Sequence, residues 1–118
     1  MKKIILLTSI ILFSASVGFA QVQIQSGTFK ASYTDKGYTL DKSSGERTFL
    51  VEVEFPVPFD KKPKVVVSVN TLDADGLFNT RYKVEAISMG RDNFTIKIST
   101  WADSKIYGIG GGWVAHSE

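Results

Sequence analysis

Past residue 21 the chain does not repeat its apolar residues at helical spacing; it alternates them with polar ones in short runs broken by Gly, Pro, Asp and Asn. Six runs read as strands. The first, Val22 to Tyr33, has apolar residues at even positions (Val22, Ile24) and then at odd ones (Phe29, Ala31, Tyr33), and the switch at Ser26-Gly27 predicts a β-bulge. The second, Arg47 to Phe55, sets Phe49, Val51, Val53 and Phe55 against Thr48, Glu52 and Glu54. The third, Lys64 to Leu72, is apolar on both faces at its start, which predicts a central strand buried on both sides. The fourth runs from Thr80 to Met89. The fifth, Asn93 to Trp101, turns Phe94, Ile96 and Ile98 inward and Thr95, Lys97 and Ser99 outward; the sixth spans Ile106 to Ala115.

The connections carry their own signals. Pro56, Pro58 and Pro63 mark a rigid extended link that cannot sit inside a sheet. Leu72 to Asn79 reads as a turn or loop, and residues 90–93, GRDN, as a hairpin turn. Six strands joined by short turns predict an all-β domain, an antiparallel sandwich or a small barrel.

The N-terminus changes what has to fold. Met1-Lys2-Lys3, an apolar run, and Gly18 and Ala20 at the third-last and last positions before a cut have the layout of a secretory signal peptide over residues 1–20. The expectation is a secreted or periplasmic protein, cleaved after Ala20 and not inserted in a membrane, whose single domain is residues 21–118. Of 14 basic residues two leave with the leader, so 12 face 12 acidic ones and the net charge is zero. Nucleic acid therefore loses its electrostatic argument as a partner. With no cysteine, an exported domain of this size has to hold together by packing or by assembly.

Candidate chemistry is sparse. The start of a calcium loop at Asp73-Ala74-Asp75-Gly76 lacks its bidentate Glu, because the twelfth position from Asp73 is Val84. The single His116 stands near the chain end, a poor place for a catalytic triad, and zinc lacks Cys and a second His. No pair of carboxylates stands out for glycosidase work. The expectation is a protein without catalytic residues, metal or cofactor. Gly110, Gly111 and Gly112 break the phosphate-loop pattern and predict close backbone approach or a bulge in the last strand.

One feature does point outward. The core face of the fifth strand is even-numbered, so Trp101 shares the polar face, and Tyr107 follows across the turn Ala102-Asp103-Ser104-Lys105. Arg81 lies on the polar face of its own strand. An outward tryptophan packs on another subunit, or it stacks on the C–H face of a sugar whose hydroxyls are met by an arginine and a carboxylate.

Taken in order, Gln25-Ser26-Gly27, Phe55, Pro58-Phe59, Pro63, VVVSVNTLD, Arg81, FTIKISTW, Lys105-Ile106-Tyr107 and Trp113 resemble the H-type lectin domain, the family of the snail agglutinins and of the slime-mould discoidins' terminal domain. The likeness covers nearly all of residues 21–118. It implies a six-stranded antiparallel β-sandwich that assembles as a homotrimer or higher oligomer. It further implies sites for terminal galactose or N-acetylgalactosamine between protomers, with Arg81, Trp101 and Tyr107 on the sugar. An acid before the second strand completes the family site; here Asp41 and Glu46 are the candidates, and Ser44 falls where ungapped counting lands. Ala102 replaces a histidine that touches the acetamido group in the snail proteins, which puts the preference for N-acetylgalactosamine in doubt. Without cysteines, trimers cannot pair through disulfides. The rival expectation is a structural or adhesion module that uses the same fold to bind proteins.

Overall fold

A computed structural model describes residues 23–118. The leader, its cut after Ala20 and Val22 of the first predicted strand lie outside the described residues. Among the described residues six strands form: β1 (Gln23–Ser32), β2 (Arg47–Glu54), β3 (Lys64–Ala74), β4 (Tyr82–Ile87), β5 (Asn93–Thr100) and β6 (Ile106–Ser117). They build two three-stranded antiparallel sheets, ordered β1-β6-β3 and β2-β5-β4. The sandwich expected from the alternation is therefore present.

The inward residues of both sheets meet in one core. Phe55 lies at its centre, with ring centroids 4.8 Å from Phe59, 5.4 Å from Phe94 and 5.7 Å from Trp113. Ile96, Ile98 and Ile106 are fully buried around this cluster, each contributing about 1.5–3 kcal/mol of burial. Gly27 leaves room for the indole of Trp113, since a Cβ there would stand 2.6 Å from Cζ2 of that ring. The 90–93 turn closes the β4–β5 hairpin, with the Gly90 N–H donating to the Asn93 carbonyl at 2.8 Å.

Three expectations are corrected. First, β1 carries no bulge at Ser26-Gly27: its pairing with β6 runs unbroken from Gln23–Ser117 to Ser32–Gly108. Ile24 is simply exposed (66%), because the inward side of this stretch belongs to two glutamines that hold the proline-rich link. Gln25 donates to the Val57 carbonyl at 2.6 Å and accepts from the Val57 N–H at 3.2 Å, while the Asp60 N–H donates to Gln23 at 3.0 Å. Second, β3 is an edge strand with one open face, and β6 takes the centre of its sheet. The backbone of β6 fits tightly between its neighbours: a Cβ on Gly111 would fall on the Ser68 carbonyl. The bulge that goes with this close approach lies opposite, in β3, between Val69 and Thr71. Third, β3 continues to Ala74, so the following loop begins at Asp75 rather than Leu72. In β5 the outward Thr95 and Ser99 are also buried, because β2 and β4 flank this central strand; the Thr95 hydroxyl donates to the Glu52 carboxylate at 3.0 Å.

Candidate functional site

The turn between β5 and β6 crosses from one sheet to the other, and it gathers three other segments around it. Ala102 takes a left-handed conformation, φ 59°, that lets the chain reverse. The Ser104 hydroxyl is fully buried; it donates to the Asn79 carbonyl at 2.6 Å and accepts from the Arg81 N–H at 2.8 Å. The Thr100 hydroxyl donates to the Arg81 carbonyl at 2.5 Å. Hydroxyls thus dock the segment before β4 onto the turn, where no ladder hydrogen bonds reach.

On the other flank Arg47, itself buried, ties the 40–45 loop to the same turn. Its Nε donates to the Gly45 carbonyl at 2.8 Å. Nη1 reaches the carbonyls of Lys42 at 2.8 Å, Ser104 at 2.9 Å and Leu40 at 3.4 Å, and Nη2 that of Ala102 at 3.0 Å. A guanidinium with five donors in a fork suits this cluster of carbonyls, of which, among the described residues, only those of Leu40 and Ala102 also accept a backbone N–H, from Ile106 and Gly45 at 2.9 Å each. Sequence reasoning passed over this residue. The signal was available in its odd number, which it shares with the inward Phe49, Val51 and Val53.

These ties gather three of the candidate residues. Thr100 pairs with Arg47 of β2 on one side and with Tyr82 of β4 on the other. One step further along the β2 ladder Glu46 stands opposite Trp101; on the β4 side the ladder ends at Tyr82–Thr100, and Arg81 is held by the Ser104 and Thr100 hydroxyls instead. The Gly45 N–H donates to the Ala102 carbonyl at 2.9 Å, so the β2 side is still paired there. The parity of Glu46 and Trp101 matches that of Thr48 and Ser99, on the outer face of the sheet. Glu46 and Trp101 form a non-hydrogen-bonded pair, the arrangement with the closer side chains, about 4.5–5.5 Å between Cβ atoms. Trp101 is 40% exposed. The Nη1 of Arg81 contacts Oδ1 of Asp103 at 3.1 Å, and both side chains reach solvent.

The remaining candidates lie apart from these three. Tyr107 sits at an irregularity of the β3–β6 pairing, between Ile106 opposite Ala74 and Gly108 opposite Asp73. A bulge of this kind redirects a side chain, and the phenol of Tyr107 donates to Oδ2 of Asp75 at 3.0 Å. That hydrogen bond, helped by the negative charges of Asp75, Asp41 and Asp73, raises the Tyr107 pKa above its usual value of 10.0. The other Asp75 oxygen accepts from the Leu77 N–H at 2.8 Å, which explains Asp75 as a turn residue. Asp41 is largely covered, its side chain 14% exposed with Oδ1 3.4 Å from Lys42 Nζ, and its charge acts on Tyr38 and Tyr107. Ser44 is exposed in the same loop. Ala102 presents an exposed methyl next to Trp101.

An exposed indole opposite Glu46 and two residues from the Arg81–Asp103 pair offers an apolar plate with directional donors and acceptors at the same turn. Asp103 and Asp75 were not among the sequence candidates. Their one legible signal was position, in the two turns that meet here.

The comparisons with known proteins agree with this architecture. Discoidin II of Dictyostelium discoideum superposes in its recombinant form with a TM-score of 0.73, at 23% identity over 84% of this chain and 38% of that one. The wild-type form gives 0.74 at 23% identity over 83% and 37%. At this identity the likeness establishes the fold. Among curated proteins, the "ATP synthase subunits region ORF 7" protein of Fuscovulum blasticum is 32% identical over 72 residues, 61% of this chain and 63% of that protein. The chain thus spans less than two thirds of each of these relatives. The family model of the H-type lectin domain matches residues 50–116, from the second strand to the last. With more than half of its length matched in this way, the chain belongs to the H-type lectin domain family.

Proposed function

We propose that the protein is a non-enzymatic, exported lectin that binds terminal galactose or N-acetylgalactosamine at sites between the protomers of a homotrimer. The observation that carries this reading is the exposed Trp101 at the end of the β2-β5-β4 sheet, opposite Glu46 along the β2 ladder and two residues from the Arg81–Asp103 pair. The indole stacks on the apolar face of the sugar, the guanidinium donates to its hydroxyls, and Glu46 accepts from them. Glu46 is the acid this geometry favours, since Asp41 is covered and turned to Lys42. Tyr107 joins the site from the β6 side of the turn. An alanine at 102 offers an acetamido group no hydrogen bond, so galactose and N-acetylgalactosamine bind with similar strength.

Assembly has support on the opposite sheet. By register, Ile24, His116 and Lys64 form one row across β1-β6-β3, and Ser26, Val114 and Val66 the next. Ile24, Val66 and Val114 are exposed there, beside a stretch of β6 where Gly108, Gly110 and Gly112 carry no side chain. A flat, mostly uncharged face of this kind supports packing against further copies. Several weak sites on one oligomer then bind a glycan surface together.

The test is a glycan array probed with labelled residues 21–118, with and without chelator. Chelator-resistant binding to terminal galactosides is the expected result. A blank array from a folded oligomer would sink the reading and favour the rival, a structural or adhesion module for protein partners. One observation speaks for that rival: Arg81 and Tyr107 already have partners in Asp103 and Asp75.

A further inference from the structure

We infer that Asp103 contacts the sugar, and that its carboxylate and the Arg81 guanidinium together read two adjacent ring hydroxyls. The inference rests on the lectin reading above and adds a residue to that site. It starts from the incomplete contact between the two groups. Nη1 of Arg81 meets Oδ1 of Asp103 at 3.1 Å, a one-point contact rather than the two-point fork the pair can form. Among the described residues, Oδ2 of Asp103 and the other guanidinium N–H groups have no protein partner. The pair therefore presents an unused acceptor next to unused donors.

That pattern has a natural complement. Two hydroxyls on neighbouring ring carbons, when gauche, hold their oxygens about as far apart as a hydrogen-bonded pair. One hydroxyl donates to Oδ2 while the other accepts from the guanidinium. A diol with trans-diaxial oxygens cannot span the pair, so the arrangement asks for a gauche vicinal diol and does more than attract polar ligands.

The backbone holds both groups before any ligand arrives. Arg81 is fixed through its N–H by Ser104 and through its carbonyl by Thr100. Asp103 follows the left-handed Ala102, whose carbonyl is held by Arg47 and Gly45. Trp101 is two residues from Asp103 and follows Thr100, whose hydroxyl holds the Arg81 carbonyl. Preorganisation of this kind lowers the ordering cost of binding. A purely structural role explains less, because an exposed ion pair contributes only about 0–1 kcal/mol to stability.

The experiment titrates residues 21–118 with methyl galactoside and with analogues lacking one ring hydroxyl at a time, for wild type, Asp103→Asn and Asp103→Ala. Asp103→Asn keeps an oxygen for Arg81 but removes the charge, and it should weaken binding about tenfold. The deoxy analogue that loses the donor to Asp103 should bind wild type more weakly by a similar factor, with no added loss in Asp103→Asn. Wild-type affinity in both variants, or losses that simply add, would overturn the inference while the lectin reading stands. If wild type binds neither methyl galactoside nor any glycan on the array, the lectin reading fails and takes this inference with it. Unfolding curves for both variants show that the fold is retained.

Discussion

Replacing Arg47 by lysine tests how the turn is held. The guanidinium satisfies five backbone carbonyls, those of Leu40, Lys42, Gly45, Ala102 and Ser104. A lysine ammonium keeps the charge but has three donors and a single nitrogen. A single Nζ can serve the Lys42 and Ser104 carbonyls but not, from the same point, the Gly45 carbonyl that Nε holds. The Leu40 and Ala102 carbonyls keep the backbone N–H groups of Ile106 and Gly45, each at 2.9 Å. The Gly45 carbonyl thus loses its donor, at about 1–3 kcal/mol. Arg47→Lys should therefore lose about 2 kcal/mol. With a urea m-value of about 1–1.5 kcal/mol/M for a small domain, the midpoint falls by roughly 1.5 M. Equilibrium unfolding followed by tryptophan fluorescence reads both the global transition and the turn, since Trp101 and Trp113 are the two tryptophans and one of them sits there. Because the lost contacts are those that align Trp101, glycan binding at a denaturant-free concentration should weaken as well. A change below about 0.5 kcal/mol, the range of an ordinary surface substitution, would refute the account of Arg47 as the tie between loop and turn.

Other outcomes follow from the same geometry. Trp101→Ala should abolish glycan binding and leave the oligomer intact by light scattering; a monomeric variant would assign the indole to the interface instead. Val66→Lys, on the open face of β3, should leave the unfolding midpoint of the protomer near wild type but shift the oligomer to monomer. An unchanged mass would remove that face from the interface. Asp75→Asn takes away the charged acceptor that raises the Tyr107 pKa, so ultraviolet titration should show a phenol ionising at lower pH than in wild type. The raised folded-state values of Tyr107 and Tyr38 stabilise the fold below the unfolded value near 10. That contribution is lost as pH rises through the folded values, so thermal stability should decline on the alkaline side, and less steeply in Tyr38→Phe.

The family and the fold bear on each other at Trp113 and Gly27. Both belong to the motif set that resembles H-type lectins, and in the structure the indole lies on the glycine. The motif there records packing. The same set contains Trp101, exposed at the end of β5, Arg81, held to the turn by Ser104 and Thr100, and Tyr107, which lies on the other sheet beside Asp75. A string of matched residues thus divides into parts of a core and parts of a site once the chain is folded.

The alternation of apolar and polar residues determined that the chain forms six strands, and parity within β5 determined that Trp101 leaves the core. Both are local facts, because the pleat of a strand repeats every two residues whatever lies beside it. The apolar run of β3 and the glycines of β6 did not reveal which strand takes the centre of the sheet. That choice depends on how closely two backbones approach, as Gly111 shows against the Ser68 carbonyl. Nor did the chain order reveal that Arg47 closes onto a turn more than fifty residues away, or that Glu46, rather than Asp41, flanks Trp101. These depend on ladder register between segments distant in sequence. Only the closure of the two sheets brings those segments to one end of the sandwich, and the candidate site exists there alone.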